Sequence, residues 1–387
     1  MIIGIDGNEA NIKEKVGVHQ YAFELLWTLY RYGINNKKAS LLQDIKNSDH
    51  KFIIYLKNHV SMDLPPQNSF WEYRIIPGSK VWVLAKLMPA LLKEKNIDVF
   101  FTPTHYLPLF AKKPMVCTIH DLGYLKFSEQ FKKYDFWQLK YWSAISIIVS
   151  KYIICPSDST RSDIVRRYPF AAKKVRVVQH GYDKSKFNQN ISQNLVRQVT
   201  EKYRIKKNYL LFLSTLKPSK NVEGLIDAFV KIKNVSNHQL VIAGKKGWLY
   251  DKIFLRAKDL KVENDIIFTD YVSEKEKRGL LKGATAYVLP SFWEGFGMDV
   301  LDALACGTPV VVSKAGSLPE VAGDAGIYID PYNIDSLAQG MEKVLKMSED
   351  ERSEIIKKGL NQAQKFSWEK SARETLKVLE EANKQQI

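Results

Sequence analysis

Short apolar runs alternate along the chain with longer segments whose apolar residues recur at helical spacing. The short runs indicate strands covered on both faces, and VGVHQYAFELLWTLYRYG (16–33) is a segment of the helical kind. The strands predicted in the first half are IIGID (2–6), FIIY (52–55), VFFTP (99–103), MVCTIHD (115–121), YIICPSDST (152–160) and VRVVQHG (175–181). The alternation predicts a parallel sheet with helices on both faces.

The same alternation starts again after a polar run, DKSKFNQNISQN (183–194), which we interpret as a linker. The strands predicted in the second series are YLLFLST (209–215), QLVIAG (239–244), DIIFTDYV (265–272), ATAYVLPS (284–291), TPVVVS (308–313) and AGIYID (325–330). A chain of 387 residues exceeds the ~250–300 residues at which a single core stops growing. Two doubly wound α/β domains, residues 1–185 and 195–365, are therefore expected.

The end of the chain predicts one more helix. FSWEKSARETLKVLEEANK (366–384) has helical spacing, and Ser367 is suited to the N-cap. We expect residues 366–387 to pack back toward the first domain.

The formal net charge of +16 is unevenly distributed along the chain. Residues 1–200 hold 29 Lys and Arg against 16 Asp and Glu, whereas residues 201–387 hold 29 against 26. Such an excess attracts anionic partners, but it also occurs on basic surfaces that are simply solvated. Two explanations of the basic first domain therefore stay open: peripheral contact with an anionic membrane, and a basic surface that is simply solvated. No recognised nucleic-acid motif occurs, so no nucleic-acid partner is expected.

Cysteine usage and the apolar runs narrow the class of protein. Cys117, Cys155 and Cys306 form no C-x-x-C pair, which argues against a zinc site and a disulfide framework. The most apolar window, residues 141–155, contains Lys151 and is too short to span a bilayer. The first residues, MIIGIDGNEAN, predict a strand rather than a signal peptide. We expect a cytoplasmic protein, with peripheral contact at the inner face of the membrane as the alternative.

The stretch SFWEGFGMDVLDALACGTPVVV (291–312) combines a strand end, a glycine bend and a helix start. Gly295 and Gly297 precede good helix formers, and the N-terminus of a helix attracts anions such as phosphates. Glu294 and Asp302 lie eight positions apart around the bend, and carboxylates accept hydrogen bonds from sugar hydroxyls. The stretch predicts a diphosphate site flanked by two sugars, although acidic residues here would also suit a solvated helix start.

With the motifs that accompany it, this stretch resembles the family 4 retaining glycosyltransferases, and the resemblance covers nearly the whole chain. The accompanying motifs are GVHQYAFELL (17–26), TIHDL (118–122), CPSDSTRSDIV (155–165), HGYD (180–183), STLKPSKNVEGLIDAF (214–229), VIAGKKGWLY (241–250) and FTDYVSEKE (268–276). The resemblance implies the GT-B fold, in which two Rossmann-like domains face each other across a cleft. Within the family the chain looks most like bacterial mannosyltransferase-type members.

The resemblance implies a donor site in the second domain. Glu294 is expected to contact the donor sugar, and Asp302, which stands where the family has glutamate, is expected to bind the ribose with a shorter reach. The segment implied to approach the sugar and the phosphates through its amides is Gly295, Phe296, Gly297 and Met298.

The loop STLKPSKN is implied to hold the donor diphosphate. Lys220 matches the family lysine that neutralises it, whereas Thr215 stands where many members have arginine, and Lys217 is close enough in sequence to supply that charge. Ordinary surface roles for both lysines stay open. The loop that begins at Tyr271 and Val272 is implied to meet the nucleotide base through its backbone.

Two positions of the first domain are implied to approach the reacting groups. His120 follows a strand and, by resemblance, lies near the donor sugar and the acceptor hydroxyl, so we assign it positioning and electrostatic help rather than nucleophilic attack. A structural role for this histidine stays open. Gly17 lies in the loop before the first helix, which approaches the donor phosphates in the family. The residues implied to act in catalysis are His120, Lys220 and Glu294.

Two further patterns bear on the site. Ser317 and Glu320 in SLPE have the spacing of a helix capping box. No two aspartates stand two positions apart, so the D-x-D arrangement that holds a divalent ion against a diphosphate is absent from the sequence. A reaction without metal or cofactor is expected, with a nucleoside-diphosphate sugar as co-substrate and GDP-mannose favoured.

These features predict a retaining glycosyltransferase that moves a hexose, expected to be mannose, from a nucleotide sugar to a hydroxyl of a glycan or a lipid-linked glycan. Two alternatives stay open: a noncatalytic sugar-nucleotide binder and a GT-B sugar-nucleotide epimerase. Neither the nucleobase nor the acceptor is fixed by the sequence.

Overall fold

The chain forms two compact units in the computed structural model, which describes residues 1–38, 50–79, 81–128, 133–233 and 237–384. Within the described residues, the first unit comprises residues 1–126, 133–181 and 368–384. The second unit comprises residues 127–128 and 182–367. The last three residues of the predicted C-terminal segment lie outside the described residues.

The first unit is built on a parallel sheet of seven strands in the order β3-β2-β1-β4-β5-β6-β7. Its strands are β1 (Ile2–Asp6), β2 (Lys51–Leu56), β3 (Trp71–Ile75), β4 (Val99–Thr102), β5 (Met115–Thr118), β6 (Tyr152–Cys155) and β7 (Val175–Val177). Its helices are α1 (Val18–Lys38), α2 (Met88–Lys93), α3 (Gly123–Lys126), α4 (Lys133–Val149), α5 (Asp158–Arg167) and, from the end of the chain, α14 (Trp368–Lys384).

The second unit repeats the same strand order in a parallel sheet of six strands, β10-β9-β8-β11-β12-β13. Its strands are β8 (Tyr209–Leu213), β9 (Gln239–Ala243), β10 (Ile266–Asp270), β11 (Ala286–Leu289), β12 (Val310–Ser313) and β13 (Gly326–Ile329). Its helices are α6 (Gln193–Lys202), α7 (Val222–Ile232), α8 (Asp251–Asp259), α9 (Glu274–Gly283), α10 (Met298–Ala305), α11 (Leu318–Ala322), α12 (Ile334–Leu345) and α13 (Glu349–Ala363).

The prediction of two parallel α/β sheets is confirmed, because every predicted strand is present in a sheet of this kind. The central strands are buried on both faces, as expected for sheets covered by helices on each side. One strand, β3, was not predicted. Its sequence, WEYRI, mixes charged and aromatic residues because it lies at the edge of the sheet and is only partly covered.

The polar run 183–194 is not a structureless linker, because it belongs to the second unit, whose main segment begins at Tyr182 rather than at residue 195. Phe187 and Ile191 interrupt the polar run and are buried in the core of that unit. Ser192 then caps α6 by accepting a hydrogen bond from the Leu195 amide.

The last helix, α14, belongs to the first unit and packs against α1 and the strands β4 and β5. Its buried face includes Trp368, Leu376 and Leu379, and the ring of Trp368 lies 5.9 Å from that of His180. Within the described residues no helix is both long enough and apolar enough to cross a membrane.

The buried face of α14 makes a testable contribution to stability. We expect Leu379→Ala to lower the free energy of unfolding by about 2–5 kcal/mol, because the fully buried side chain leaves a cavity. Lys377→Ala on the exposed face of the same helix should change it by no more than ~0.5 kcal/mol. Urea denaturation checks this difference, and equal effects of the two substitutions would contradict the packing described for α14.

Candidate active site

The candidate site of the second unit lies where the strand order of its sheet reverses. The chain runs from β8 to β9 and β10 on one side and continues with β11, β12 and β13 on the other, so the reversal falls between β8 and β11. Ligands of such sheets bind beyond the carboxyl ends of the strands at this point. The loop after β8 carries Lys220, and the loop after β11 carries Glu294.

Lys220 and Glu294 form an ion pair between these two loops, through Nζ and Oε1. Lys220 is 9% exposed, so the pair is largely removed from water. Ser291 donates a hydrogen bond to the same Oε1 atom over 2.7 Å, and the Phe292 amide donates to the Ser219 carbonyl over 3.0 Å. The ammonium and the carboxylate are therefore fixed in position, because backbone and side-chain bonds join the loops that carry them.

The backbone of Glu294 is held from a third loop, the one after β12. The Ser317 amide and the Ser317 hydroxyl both donate to the Glu294 carbonyl over 3.1 Å. The capping-box spacing of Ser317 and Glu320 does mark a helix start, because Ser317 is the N-cap of α11. The capping bond itself is absent, since the Ser317 hydroxyl donates to the Glu294 carbonyl rather than capping the helix. Gly316 (φ +57°) lies against Glu294 so closely that a Cβ atom there would approach its carbonyl oxygen to 2.4 Å.

The glycine bend leads directly into α10, which begins at Met298, as predicted. Gly297 is the N-cap and adopts φ 94°, a conformation that favours glycine. Phe296 points into the core, where its ring lies 5.8 Å from that of Phe366, so only its backbone is available to a ligand. Gly295 is buried between Glu294 and this aromatic anchor.

Asp302 lies one turn into α10 and is buried, with 7% of its surface exposed. Lys277 of α9 contacts Asp302 over 2.6 Å and also pairs with Asp299. Burial raises the pKa of Asp302 to about 6, although Lys277 opposes the shift. Burial lowers the pKa of Lys277, but the two carboxylates outweigh it and raise that pKa above its ordinary value. The interpretation of Asp302 as a solvated helix-start residue is thereby excluded.

One buried hydroxyl lies in the field of all three carboxylates. Burial raises the pKa of Tyr287 well above its usual value, and the charges of Asp299, Glu294 and Asp302 raise it further. The Tyr287 hydroxyl donates to the Leu213 carbonyl over 2.9 Å. It thus links β11 to the end of β8 beneath the candidate site.

The remaining predicted residues of the second unit occupy loops after neighbouring strands. Thr215 and Lys217 lie in the loop after β8, and Lys217 Nζ lies 5.2 Å from the centre of the Trp248 ring. Tyr271 and Val272 lie between β10 and α9, where Tyr271 is exposed and Val272 is buried. The structure thus brings Lys220 and Glu294 into direct contact. Thr215 and Lys217 stand on the same loop as Lys220, whereas Tyr271 and Val272 stand on the loop after β10, which β9 separates from β8.

In the first unit, His120 follows β5 and is half-buried. Its Nε2 atom donates to the Pro103 carbonyl over 2.9 Å, which leaves Nδ1 as the acceptor. Burial lowers the pKa of His120 below its usual value despite this bond, so the ring is neutral at pH 7. Gly17 precedes α1 with φ +54°, and a Cβ atom there would meet no other atom within 4 Å.

Four residues of the candidate site were not found from the sequence: Lys277, Ser291, Gly316 and Tyr287. Lys277 and Gly316 contact Asp302 and Glu294 from other elements, and Tyr287 bonds to the Leu213 carbonyl beneath the site, so no local spacing marks these three residues. Ser291 lies three positions before Glu294 and donates to its carboxylate. In the described part of the chain, no group of three His, Cys, Asp or Glu side chains could hold a metal ion.

Comparison with protein families gives two matches, which divide the chain much as the two units do. Residues 59–186 match the family model described as "Glycosyltransferase Family 4". Residues 197–362 match the model described as "Glycosyl transferases group 1".

Curated relatives and solved structures agree with these matches. The chain is 29% identical over 309 residues to O-antigen chain mannosyltransferase B of Escherichia coli, covering 79% of this chain and 78% of that protein. It is 27% identical to O-antigen chain mannosyltransferase RfbU of Salmonella typhimurium, covering 62% of this chain and 63% of that protein.

Among solved structures, sucrose-phosphate synthase of Thermosynechococcus elongatus matches with a TM-score of 0.75 at 17% identity over 98% of both chains. WaaG, a glycosyltransferase involved in lipopolysaccharide biosynthesis, matches with a TM-score of 0.70 at 16% identity, covering 98% of this chain and 99% of that chain. These neighbours share the GT-B fold.

The close approach at Gly316 is testable against a matched glycine. We expect Gly316→Ala to lower the free energy of unfolding by about 3 kcal/mol or more, because the added Cβ collides with the Glu294 backbone. Gly17→Ala has nearly the same φ but open space, so it should cost only ~1 kcal/mol. Differential scanning calorimetry compares the two variants, and similar losses in both would contradict the contact at Gly316.

Proposed function

Since the chain belongs to the glycosyltransferases described by the group 1 and family 4 models, we propose that it transfers mannose from GDP-mannose with retention of anomeric configuration. The acceptor is a hydroxyl of a glycan or a lipid-linked glycan. The choice of mannose is supported by the relatives named as O-antigen chain mannosyltransferases. In this proposal the second unit binds the donor and the first unit binds the acceptor.

The ion pair of Lys220 and Glu294 carries the proposal. A donor diphosphate arriving beside α10 competes with Glu294 for the Lys220 ammonium, since phosphate oxygens accept charge-assisted hydrogen bonds from lysine. The Glu294 carboxylate, released from Lys220 but still held by Ser291, then accepts hydrogen bonds from the sugar hydroxyls. Lys220 stabilises the charge that develops on the departing nucleoside diphosphate.

Asp302 binds the ribose hydroxyls in this proposal, and Lys277 orients its carboxylate. One ammonium shared by two carboxylates leaves one negative charge in the group, so acceptor capacity remains for a diol. The shorter reach of aspartate is offset by its fixed position on α10. Backbone amides of residues 295–298 approach the sugar and the phosphates, and the loop at Tyr271 and Val272 approaches the base.

His120 positions the acceptor hydroxyl or the donor sugar rather than attacking the anomeric carbon. Its Nδ1 atom accepts a hydrogen bond because Nε2 is already bound to a carbonyl, and the neutral ring suits this role. Gly17 leaves open space before α1 where a ligand group fits.

A donor panel followed by a transfer assay tests the function. GDP-mannose should raise the thermal midpoint more than UDP- or ADP-sugars, and a lipid-linked glycan acceptor should then be mannosylated in the configuration of the donor. Turnover of the nucleotide sugar without acceptor would indicate an epimerase. Donor binding without any transfer would indicate a noncatalytic binder, and either result would contradict the proposal.

Metal independence gives a second prediction. The reaction should proceed at an unchanged rate in excess chelator, because Lys220 and the start of α10 supply the positive charge that a divalent ion provides elsewhere. Initial rates with chelator and with added Mg²⁺ or Mn²⁺ provide the measurement. A rate that collapses with chelator and recovers with metal would overturn this part of the proposal.

The raised pKa of Asp302 predicts a pH dependence of donor affinity. GDP-mannose should bind about tenfold more weakly one pH unit below the Asp302 pKa of about 6 than it does above pH ~7. The reason is that protonation of Asp302 removes the hydrogen-bond acceptor for the ribose. The folded-state pKa lies above the ordinary value of 3.8, so protonating Asp302 stabilises the fold as the pH falls through 6. Loss of affinity through this residue therefore does not arise from unfolding.

Calorimetric titration of wild type and Asp302→Asn with GDP-mannose measures this dependence between about pH 5 and pH 8, a range that spans the Asp302 pKa of about 6. The variant should bind weakly at every pH and show no inflection near 6. The same inflection in both proteins would assign it to another group, such as Asp6 of the first unit, whose pKa burial also raises to about 6.

A further inference from the structure

The helix α4 of the first unit exposes large apolar side chains on the face opposite its buried one. Its inner face buries Ser143, Ser146 and Ile147. Its outer face exposes Tyr134 (75%), Trp137 (45%), Tyr141 (59%) and Ile148 (58%). These four positions are spaced by three, four and seven residues, so they form one stripe along the helix.

A surface helix ordinarily turns a polar face to solvent, whereas α4 exposes four large apolar or aromatic side chains there. The outer stripe of α4 is therefore a contact surface rather than a random scatter of exposed side chains. The helix is fixed on its unit, because Lys174 Nζ donates to the carbonyls of Ile148 and Ser150 over 2.9 Å at its C-terminal end. The stripe is thus presented on a rigid element.

The chemistry of the stripe is aromatic and basic. The rings of Trp137 and Tyr141 are stacked, with centres 5.4 Å apart, and Lys140 Nζ lies 4.5 Å from the centre of the Trp137 ring. Lys133 is exposed one residue before Tyr134. Tryptophan and tyrosine favour the boundary between hydrocarbon and water, and lysine extends its charge toward anionic headgroups.

We propose that the outer stripe of α4 (Tyr134, Trp137, Tyr141 and Ile148, with Lys133 and Lys140) docks on the surface of a membrane that contains anionic lipids. The aromatic side chains enter the headgroup region, and the lysines pair with the lipid phosphates. The excess of basic over acidic residues in the first 200 residues, 29 against 16, adds long-range attraction to the same surface.

A second copy of the chain fits this stripe less well. A symmetric dimer would bring the stripe against itself, so Lys133 and Lys140 would approach lysines of the same kind. The polar tips of Trp137, Tyr141 and Tyr134 would also need hydrogen-bond partners in a dry interface, whereas headgroups and water supply them at a membrane.

Vesicle co-sedimentation of the full chain tests the proposal. Binding to vesicles of phosphatidylcholine with about one third phosphatidylglycerol should exceed binding to pure phosphatidylcholine and should weaken with salt. Trp137→Ser with Tyr141→Ser should lower the partition by about tenfold or more, and Lys140→Gln by about fivefold. Lys252→Gln with Leu255→Ser changes one exposed lysine and one exposed apolar residue on α8 of the second unit and should leave binding unchanged.

Equal vesicle binding by wild type and the Trp137, Tyr141 double variant would overturn the proposal. A concentration-dependent dimer in sedimentation velocity without vesicles, lost in that double variant, would assign the stripe to a second copy and would also overturn it. Titration with GDP-mannose separates this inference from the proposed function, because the double variant should keep wild-type donor affinity whichever way the vesicle result falls.

Discussion

The ion pair of Lys220 and Glu294 is the interaction on which the candidate site depends. A parallel sheet whose strand order reverses leaves a gap beyond two neighbouring strands, and here those strands are β8 and β11. The loops that follow them would otherwise be independent, but the buried pair and the bond between Phe292 and Ser219 join them. A positive and a negative group are thus held together at this gap, where the proposed function places the diphosphate of the donor.

Because the Lys220–Glu294 pair is buried, either charge is unstable without a partner, and this favours a ligand that supplies one. A buried charge that loses its partner is destabilised by several kcal/mol. A ligand that offers Lys220 a new anionic partner in place of Glu294 is therefore strongly favoured over a ligand that only separates the two side chains. The group of Asp299, Lys277 and Asp302 follows another pattern, because two carboxylates share one ammonium and one charge remains unbalanced. Burial is the main cause of the raised pKa of Asp302; Lys277 opposes it, and the charge of Asp299 adds to it.

The sequence was sufficient for the strands of both sheets except β3, because buried parallel strands are continuous apolar runs whereas the edge strand β3 mixes charged and aromatic residues. It was also sufficient for the start of α10, because Gly297 and the following helix formers mark it. It also placed Lys220 and Glu294 on loops after strands. It could not reveal that Ser317 serves Glu294, because a hydroxyl suited to capping a helix is equally suited to a carbonyl from another loop. The assignment of residues 183–194 to a linker failed because two buried side chains, Phe187 and Ile191, outweigh a polar composition.

The central claim is that the buried Lys220 at the reversal point binds the donor diphosphate, and calorimetric titration with GDP-mannose tests it most directly. Lys220→Met, alone and with Glu294→Gln to avoid an unpaired buried charge, should weaken binding by about 10- to 100-fold. Lys231→Met removes an exposed pair with Asp335 in the same unit and should bind like wild type. Donor affinity that is equal in all of these proteins, at unchanged thermal stability, would contradict the account.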